Sequence, residues 1–262
     1  MKFTLQKIAV LAGATALIAA GAVSTAWASD AESGGEPAAA CEYPADVLDL
    51  SAWKLTLPIG DDEEPTEITQ PDLATYKEDT LFTPTDDCKS VRFRSPVNGV
   101  TTGGSSYPRA ELREMSEDGS EEAAWSLSEG THTMEVTTAV THLPADKPHV
   151  VVAQIHGGDD DLTVFRLQDS TLYVTNGDDA TFHEVTDSYE LGTPMDLKFV
   201  AGDGKVDAYY NGELVTTIEG DSSENYFKAG AYTQANCENS EPCEDSNYGE
   251  AVISALSVTH DD

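Results

Sequence analysis

Short runs in which apolar and polar residues alternate recur along most of this chain. An alternation of period two is typical of a β-strand, whereas an amphipathic helix requires a period of about 3.6 residues. Beyond residue 28 no long segment has the helical period. Gly, Pro, Asp and Asn separate the alternating runs, so the pattern predicts an all-β sandwich or barrel. The clearest runs are 53–57, 91–93, 132–136, 172–174, 197–199 and 252–256.

Residues 206–215 predict the most definite local element, a two-residue β-hairpin. Asn211 and Gly212 stand between two alternating runs. Both residue types tolerate positive φ, which a type I′ turn requires at its two central positions. Signals for the start of a short helix occur only at Ser51 and within residues 71–77. We therefore expect a hairpin at Asn211 and very little helix in the rest of the domain.

The first 28 residues have the organisation of a secretory signal peptide. Lys2 and Lys7 give a positive start, and residues 8–20 form the apolar middle. Residues 26–28, Ala-Trp-Ala, supply the small-residue cleavage site. The apolar run is too short to favour a membrane span. The protein is therefore predicted to be secreted and extracellular.

Two further segments follow the signal peptide. Residues 29–40 consist largely of Ser, Asp, Glu, Gly, Pro and Ala, a composition that predicts a disordered linker. Residues 41–262 contain no internal repeat and no second block of distinct composition. Their length is that of one domain, so a single catalytic or binding domain is expected there.

The chain contains four cysteines, an even number in a sequence predicted to be exported. Such a set favours disulfides. Their spacing predicts the pairs Cys41–Cys88 and Cys237–Cys243. Zinc is the competing interpretation, but no Cys-x-x-Cys motif or nearby His supports it.

The charge of the chain is strongly unbalanced, with 14 basic and 48 acidic residues among 262. Removal of Lys2 and Lys7 with the signal peptide leaves 12 basic residues against 48 acidic ones, a net charge of −36. This charge argues against nucleic acid and anionic membranes as partners. Acidic runs such as 159–161 are compatible with structural calcium, but a solvated acidic surface explains them. We predict no metal site and no cofactor for catalysis.

Three segments place chemically active side chains two residues apart, which puts them on one face of a strand. If the three strands are neighbours, they form a polar floor of cations, amides, an imidazole and a phenol. Such a polar floor suits an anionic substrate. Its residues are Arg109, Glu111 and Arg113 in the first segment, Gln154 and His156 in the second, and Lys228, Tyr232 and Gln234 in the third.

These segments resemble the three signature blocks of polysaccharide lyase family 7, the alginate lyases. The blocks read Ser-Tyr-Pro-Arg-Ala-Glu-Leu-Arg-Glu at 106–114, Gln-Ile-His at 154–156 and Tyr-Phe-Lys-Ala-Gly-Ala-Tyr-Thr-Gln at 226–234. Residues 48–58 and 93–102 are also similar to the family's opening strand and to its approach to the first block. The departures, Ala110 and Ala231, touch no catalytic side chain.

The resemblance implies a β-jelly roll, a concanavalin-like sandwich of two antiparallel sheets with a concave substrate-binding face. It also implies β-elimination of alginate, a copolymer of mannuronate and its C5 epimer guluronate. The oligomeric state is left open by the sequence, with a monomer as the default expectation. The implied catalytic residues are Arg109, Gln154, His156 and Tyr232. The implied substrate-binding residues are Glu111, Arg113, Lys228 and Gln234, with Glu111 expected to orient an arginine rather than to touch the substrate.

Two other functions fit an all-β fold. A jelly-roll glycoside hydrolase needs two carboxylates facing one bond, and the typical Glu-x-Asp-x-Glu spacing is absent, since Glu184 and Asp187 lie three apart. A carbohydrate-binding module needs no convergent Tyr, His and Gln. Within the family, Ile155 is associated with guluronate, so we expect endo cleavage of guluronate-containing blocks. A bifunctional or mannuronate-preferring lyase is the alternative.

Overall fold

Two antiparallel β-sheets pack on one apolar core in the computed structural model, which describes residues 41–158 and 160–261. One sheet has eight strands in the order β10-β9-β8-β7-β14-β5-β1-β2, and the other has seven in the order β13-β12-β11-β6-β15-β4-β3. The predicted all-β jelly roll is confirmed. The strands are β1 (Trp53–Asp61), β2 (Glu64–Ile68), β3 (Phe82–Pro84), β4 (Val91–Pro96), β5 (Arg109–Glu114), β6 (Thr131–His142), β7 (His149–Gly157), β8 (Asp160–Gln168), β9 (Thr171–Asn176), β10 (Asp179–Thr186), β11 (Met195–Gly202), β12 (Lys205–Tyr210), β13 (Glu213–Glu219), β14 (Asn225–Thr233) and β15 (Tyr248–Asp261).

Helical structure is confined, in the part of the chain that is described, to two short 3₁₀ helices at Pro44–Asp46 and Asp72–Thr75. The second lies inside the segment 71–77 that was predicted to start a helix. The prediction at Ser51 was wrong. Its amide and hydroxyl both donate to Asp49 Oδ1, at 3.0 and 2.7 Å, and this local turn leads directly into β1.

All six alternating runs lie in strands, and the predicted hairpin joins β12 to β13. Tyr210 pairs with Glu213 across the turn. Asn211 has φ of 50° and Gly212 has φ of 83°, the left-handed values that a type I′ turn requires. The local turn chemistry therefore determined this connection.

The three segments with active side chains form β5, β7 and β14, and β14 lies between the other two. Its alternate side chains Phe227, Ala229 and Ala231 are fully buried in the core, so the intervening ones face outward. Gly230 is required at this point, because a Cβ there would lie 2.5 Å from the carbonyl oxygen of Ala110. The register places Lys228 opposite both Arg113 and Gln154, Tyr226 opposite His156, and Tyr232 opposite Arg109.

A buried carboxylate at the end of β5 joins the two sheets beside these strands. Glu114 Oε1 lies 2.6 Å from Nε2 of His260 in β15. Its other oxygen accepts hydrogen bonds from Trp125 Nε1 at 3.0 Å and from the backbone amide of Phe227 at 2.8 Å. Because Phe227 sits inside β14, these bonds fix that strand where it contributes to the polar floor.

Both predicted disulfides are confirmed. Cys41–Cys88 ties residues before β1 to the β3–β4 connection, and Cys237–Cys243 closes a loop after β14. Nowhere in the described segments is there a helix of the length and apolarity that a membrane span requires. The predicted signal peptide, residues 1–28, and the predicted linker, residues 29–40, lie outside the described residues.

Candidate active site

A cleft of about 860 Å³ lies over β5, β14 and β7 on the face of the eight-stranded sheet that points away from the core. It is lined by seven of the eight residues of the polar floor. The adjacency of these strands in the order β7-β14-β5 brings the three segments together. The seven are Arg109, Arg113, Gln154, His156, Lys228, Tyr232 and Gln234.

Glu111, the eighth, lies beneath the polar floor and is fully buried. Its carboxylate is 2.6 Å from Lys228 Nζ and 3.4 Å from Arg109 Nη1, and it accepts a hydrogen bond from Gln154 Nε2. Burial raises the pKa of Glu111, but Lys228 and Arg109 outweigh that effect and hold its pKa below the usual range. Glu111 does not line the cleft, and its ionised carboxylate orients three residues from three strands.

Lys228 is almost completely buried, with 7% of its surface exposed. Burial lowers its pKa to about 8, Arg109 adds to the decrease, and Glu111 opposes it. The lysine therefore remains mainly charged at neutral pH only because a carboxylate lies in contact with it. Lys228, Arg109 and Glu111 therefore form a compact buried ionic group, and Lys228 is not a flexible surface side chain.

His156 has the properties of a proton acceptor. Its ring stacks on Tyr226 with centroids 5.1 Å apart and planes 14° apart. Burial, followed by the charge of Lys228, lowers its pKa to about 4. Its Nδ1 is buried and finds no hydrogen-bond partner among the residues that are described. At neutral pH the imidazole is therefore uncharged.

Tyr232 stands at the other end of the polar floor. The guanidinium carbon of Arg109 lies 3.9 Å from the centre of its ring. Its hydroxyl lies 2.9 Å from Ser105 Oγ, which also accepts from Arg109 Nη2 at 3.1 Å. A phenol, a serine hydroxyl and an arginine thus form one connected group at the edge of the cleft.

Comparison with known proteins identifies the family. The alginate lyase family model matches residues 48–260. This chain belongs to the alginate lyase family. Family 7 is supported as well: the alginate lyase AlgAT5 of polysaccharide lyase family 7 is 48% identical, with 84% of this chain and 99% of that chain covered and a TM-score of 0.79. An alginate lyase from Corynebacterium sp. is 56% identical, with the same coverage of both chains and a TM-score of 0.83.

Two more distant relatives complete the comparison. An alginate lyase of Klebsiella pneumoniae is 28% identical over 151 residues, which is 47% of this chain and about half, 49%, of that protein. The family 7 alginate lyase A1-II′ has been crystallised with the product GGG as a Tyr-to-Phe variant. It is 30% identical, with a TM-score of 0.71, and covers 84% of this chain and 100% of its own. A His-to-Asn and Tyr-to-Phe double variant was crystallised with the substrate GGMG.

Two of the cleft-lining residues that the sequence patterns missed contact predicted site residues of this alginate lyase. Tyr226 lies under Arg113, whose guanidinium carbon is 3.9 Å from its ring centre, and it also stacks on His156. It stands two positions before Lys228, so the same alternation predicts its orientation. Ser105 lies in the irregular segment before β5, where no periodicity applies. Only its proximity in space to Tyr232 identifies it.

The cleft continues along β8 and β9. A cavity of about 190 Å³ shares Gln154, Tyr232 and Gln234 with it and is also lined by Arg166, a cation that no sequence pattern singled out. The Arg166 guanidinium donates to Ala180 O at 2.9 Å. The lyase family member therefore has polar side chains beyond the three motif strands.

Acidic residues surround the polar floor and form what we call the acidic rim. Two of them, Glu67 and Glu122, are ion-paired with Lys54 at 2.9 Å yet have side chains 44% and 58% exposed. Burial, followed by the proximity of Asp160, raises the pKa of Asp161 to about 6. The acidic rim consists of Glu67, Glu122, Asp160, Asp161 and Glu224.

Residues 41–158 and 160–261 contain no group of three or more His, Cys, Asp or Glu side chains arranged to hold a metal ion. Of the acidic run 159–161, Asp159 lies outside the described residues.

Proposed function

We propose that the protein is a secreted, monomeric alginate lyase that cleaves the 1,4-glycosidic bond by β-elimination within the polymer, with a preference for guluronate-containing blocks. The observation that carries the proposal is the convergence on one floor of an uncharged imidazole and a phenol around two buried cations. Those groups are His156, Tyr232, Arg109 and Lys228.

Elimination begins with removal of the proton at C5, next to a carboxylate. Charge then builds on a group that is already anionic, so the reaction needs fixed cations and hydrogen-bond donors around it. Arg109 on β5 and Gln154 on β7 supply a guanidinium and an amide from the two strands that flank β14, and both are held from below by Glu111. We assign them to the substrate carboxylate, with Lys228 adding positive charge beneath it.

Two proton transfers complete the reaction. Tyr232 gives its proton to O4 as the C4–O4 bond breaks. In mannuronate the C5 proton and O4 lie on the same side of the ring, so Tyr232 serves both steps: as a phenolate it takes the C5 proton, and it then gives that proton to O4. In guluronate they lie on opposite sides, and His156 takes the C5 proton. A pKa of about 4 leaves this imidazole ready to accept a proton at neutral pH.

The guluronate preference is supported by two observations. Ile155 is fully buried, so its association with guluronate acts through the position of its neighbours Gln154 and His156. A1-II′, with a similar fold, has been crystallised with GGG as a Tyr variant and with GGMG as a His and Tyr double variant. Cleavage within the polymer is supported by the cavity along β8 and β9, which gives the chain room to extend past Tyr232.

Secretion and the monomeric state have separate support. Two disulfides suit an oxidising compartment, and residues 1–28 have the signal-peptide pattern. Every residue assigned to catalysis comes from a single chain, so no second copy is needed to complete the cleft.

Absorbance of the new C4=C5 double bond, measured on guluronate and mannuronate homopolymers, tests the function directly. Tyr232→Phe is expected to abolish cleavage of both polymers, because O4 loses its proton donor. His156→Ala is expected to slow guluronate cleavage by about 10²- to 10⁴-fold and mannuronate cleavage distinctly less. Tyr209→Phe in β12 and His183→Ala in β10 are matched controls away from the cleft.

Three results would overturn parts of this assignment. Absence of any absorbance change with the unmodified protein removes the lyase function. Equal losses on both polymers for His156→Ala make His156 a carboxylate ligand only. A product distribution that starts with monomers or dimers, instead of a rapid fall in polymer size, replaces endo with exo action.

A further inference from the structure

Ser105 Oγ has four close polar neighbours. Arg109 Nη2 donates to it at 3.1 Å, and the backbone amide of Tyr107 donates to it at 3.2 Å. The carbonyl oxygen of Tyr107 lies 3.2 Å away, and the hydroxyl oxygen of Tyr232 lies 2.9 Å away. A serine hydroxyl has one proton to donate and two lone pairs to accept with. The four neighbours therefore constrain how this hydroxyl is used.

The two N–H donors fill both lone pairs of Ser105 Oγ. A donation from the Tyr232 hydroxyl would be a third, for which the oxygen has no lone pair left. The serine proton is then directed to the nearer acceptor, Tyr232 Oη. We propose that Ser105 is a positioning residue that donates a hydrogen bond to Tyr232. Because Arg109 donates to Ser105 in turn, the serine hydroxyl is polarised by the guanidinium and donates more strongly to the phenol oxygen. This inference rests on the proposed function of Tyr232.

The direction of this hydrogen bond matters for the chemistry. Because Ser105 donates, the proton of Tyr232 is left free to point into the cleft. When that proton moves to O4, the C4–O4 electron pair leaves with O4 and the C5–H electrons form C4=C5. The C5 proton goes to His156 in guluronate. Ser105 keeps its own proton and stabilises the phenolate that remains, as charge-assisted hydrogen bonds do, until solvent reprotonates it.

The two residues that follow Ser105 are each anchored to another part of the chain. Asn236 Nδ2 donates to the carbonyl oxygen of Ser106 at 3.0 Å. Lys147 Nζ donates to the hydroxyl of Tyr107 at 2.6 Å. Ser105 is therefore held in place by contacts from two other parts of the chain, and its position does not depend on Tyr232 alone.

Three variants test the role of Ser105. Ser105→Ala removes the donor, Ser105→Thr keeps a hydroxyl, and Ser106→Ala makes the same deletion next door, where the hydroxyl has no hydrogen bond within the described part of the chain. Steady-state kinetics on the mannuronate homopolymer, where Tyr232 performs both transfers, provide the readout. Thermal melting of each variant reports whether the fold is intact.

Because Ser105→Ala removes a hydrogen bond to a charged group, we expect kcat to fall roughly ten- to a hundredfold and KM to stay within about twofold of the parent. The pH of maximal kcat is expected to move upward. Ser105→Thr is expected to restore kcat to within roughly threefold, and Ser106→Ala to match the parent.

Two outcomes would overturn the inference while leaving the lyase function intact. If Ser105→Ala raises KM and leaves both kcat and the pH profile unchanged, Ser105 serves only to hold Arg109. If Ser105→Ala behaves like Ser106→Ala, the hydroxyl has no role. A parent protein without any absorbance change on alginate is a separate result, which refutes the proposed function itself.

Discussion

Replacing Glu111 by Gln tests whether one buried carboxylate holds the polar floor together. The carboxylate is fully buried, 2.6 Å from Lys228 Nζ and 3.4 Å from Arg109 Nη1. Removing one partner of a buried ion pair typically costs about 3–5 kcal/mol, because the other charge is left unpaired. Lys228 can instead lose its proton, which at pH 7 costs about 4.6 kcal/mol, given an ordinary pKa near 10.4 and about 1.36 kcal/mol per unit. We therefore expect the free energy of unfolding to fall by about 3–5 kcal/mol.

The loss has a predictable pH dependence. In the parent, burial lowers the pKa of Lys228 to about 8 although Glu111 opposes the shift. Without Glu111 the pKa falls further, so below pH 8 the folded variant holds a neutral lysine while the unfolded chain binds the proton. Stability of the variant then rises with pH over a window in which that of the parent does not. The difference in the free energy of unfolding between the parent and Glu111→Gln is expected to shrink by about 1.4 kcal/mol for each unit of rising pH, and to stay constant above about pH 8.

Urea denaturation followed by tryptophan fluorescence at about pH 6, 7 and 8 measures this deficit. Glu122→Gln is the matched control. Glu122 also contacts two cations, Lys54 at 2.9 Å and Arg113 at 3.1 Å, but its side chain is 58% exposed. Exposed pairs contribute about 0–1 kcal/mol. Similar losses in the two variants, or a Glu111→Gln deficit that is the same at all three pH values, would refute the reasoning.

Three further perturbations have expected outcomes. Because the pKa of His156 is lowered to about 4, kcat/KM on guluronate should stay high down to about pH 5 and fall as the imidazole gains a proton near pH 4. A pH profile of kcat/KM that falls near pH 6.5 in the parent but not in His156→Gln would contradict this. Added salt should raise activity to a maximum before it weakens binding, since screening shortens from about 10 Å at 0.1 M to about 3 Å at 1 M and the chain without residues 1–28 carries −36; a steady fall from low salt is the opposing result. Removal of the Cys41–Cys88 disulfide, which spans 47 residues, should lower the melting temperature more than removal of Cys237–Cys243, with stability losses of about 4 and about 2 kcal/mol. Removal of Cys237–Cys243 should raise KM more. Double Cys→Ser variants of each pair allow both quantities to be measured.

The motif strands were predictable because their information is local. Alternation assigned Arg109, Gln154 and Lys228 to outward faces, and the structure places them so. Alternation does not reveal which strands pair. β7 and β14 are neighbours although β8 to β13 lie between them in the chain, so their adjacency could be stated from the sequence only as a condition.

Other features depend on three-dimensional contacts that no periodicity encodes. Glu111 shares the face of Arg109 and Arg113, yet it is completely buried because neighbouring side chains cover it. Ser105 is in an irregular segment, and Arg166 is on a strand without a motif. The Ser51 prediction was wrong because the hydroxyl and amide of Ser51 donate to Asp49 in a local turn, which leads into a strand and not into a helix.

The acidic rim and the cations beneath it act on an approaching polyanion at different distances. Repulsion from exposed carboxylates such as Glu122 reaches several ångströms into solvent, where mobile ions weaken it. Attraction to Lys228 and Arg109 is felt only at contact, where little salt penetrates. The energy along the approach is therefore a low barrier followed by a well. Ionic strength would therefore change the association rate of an alginate chain far more than its dissociation rate. The surrounding medium would set how fast the polymer binds, and the buried cations would set how long it stays bound.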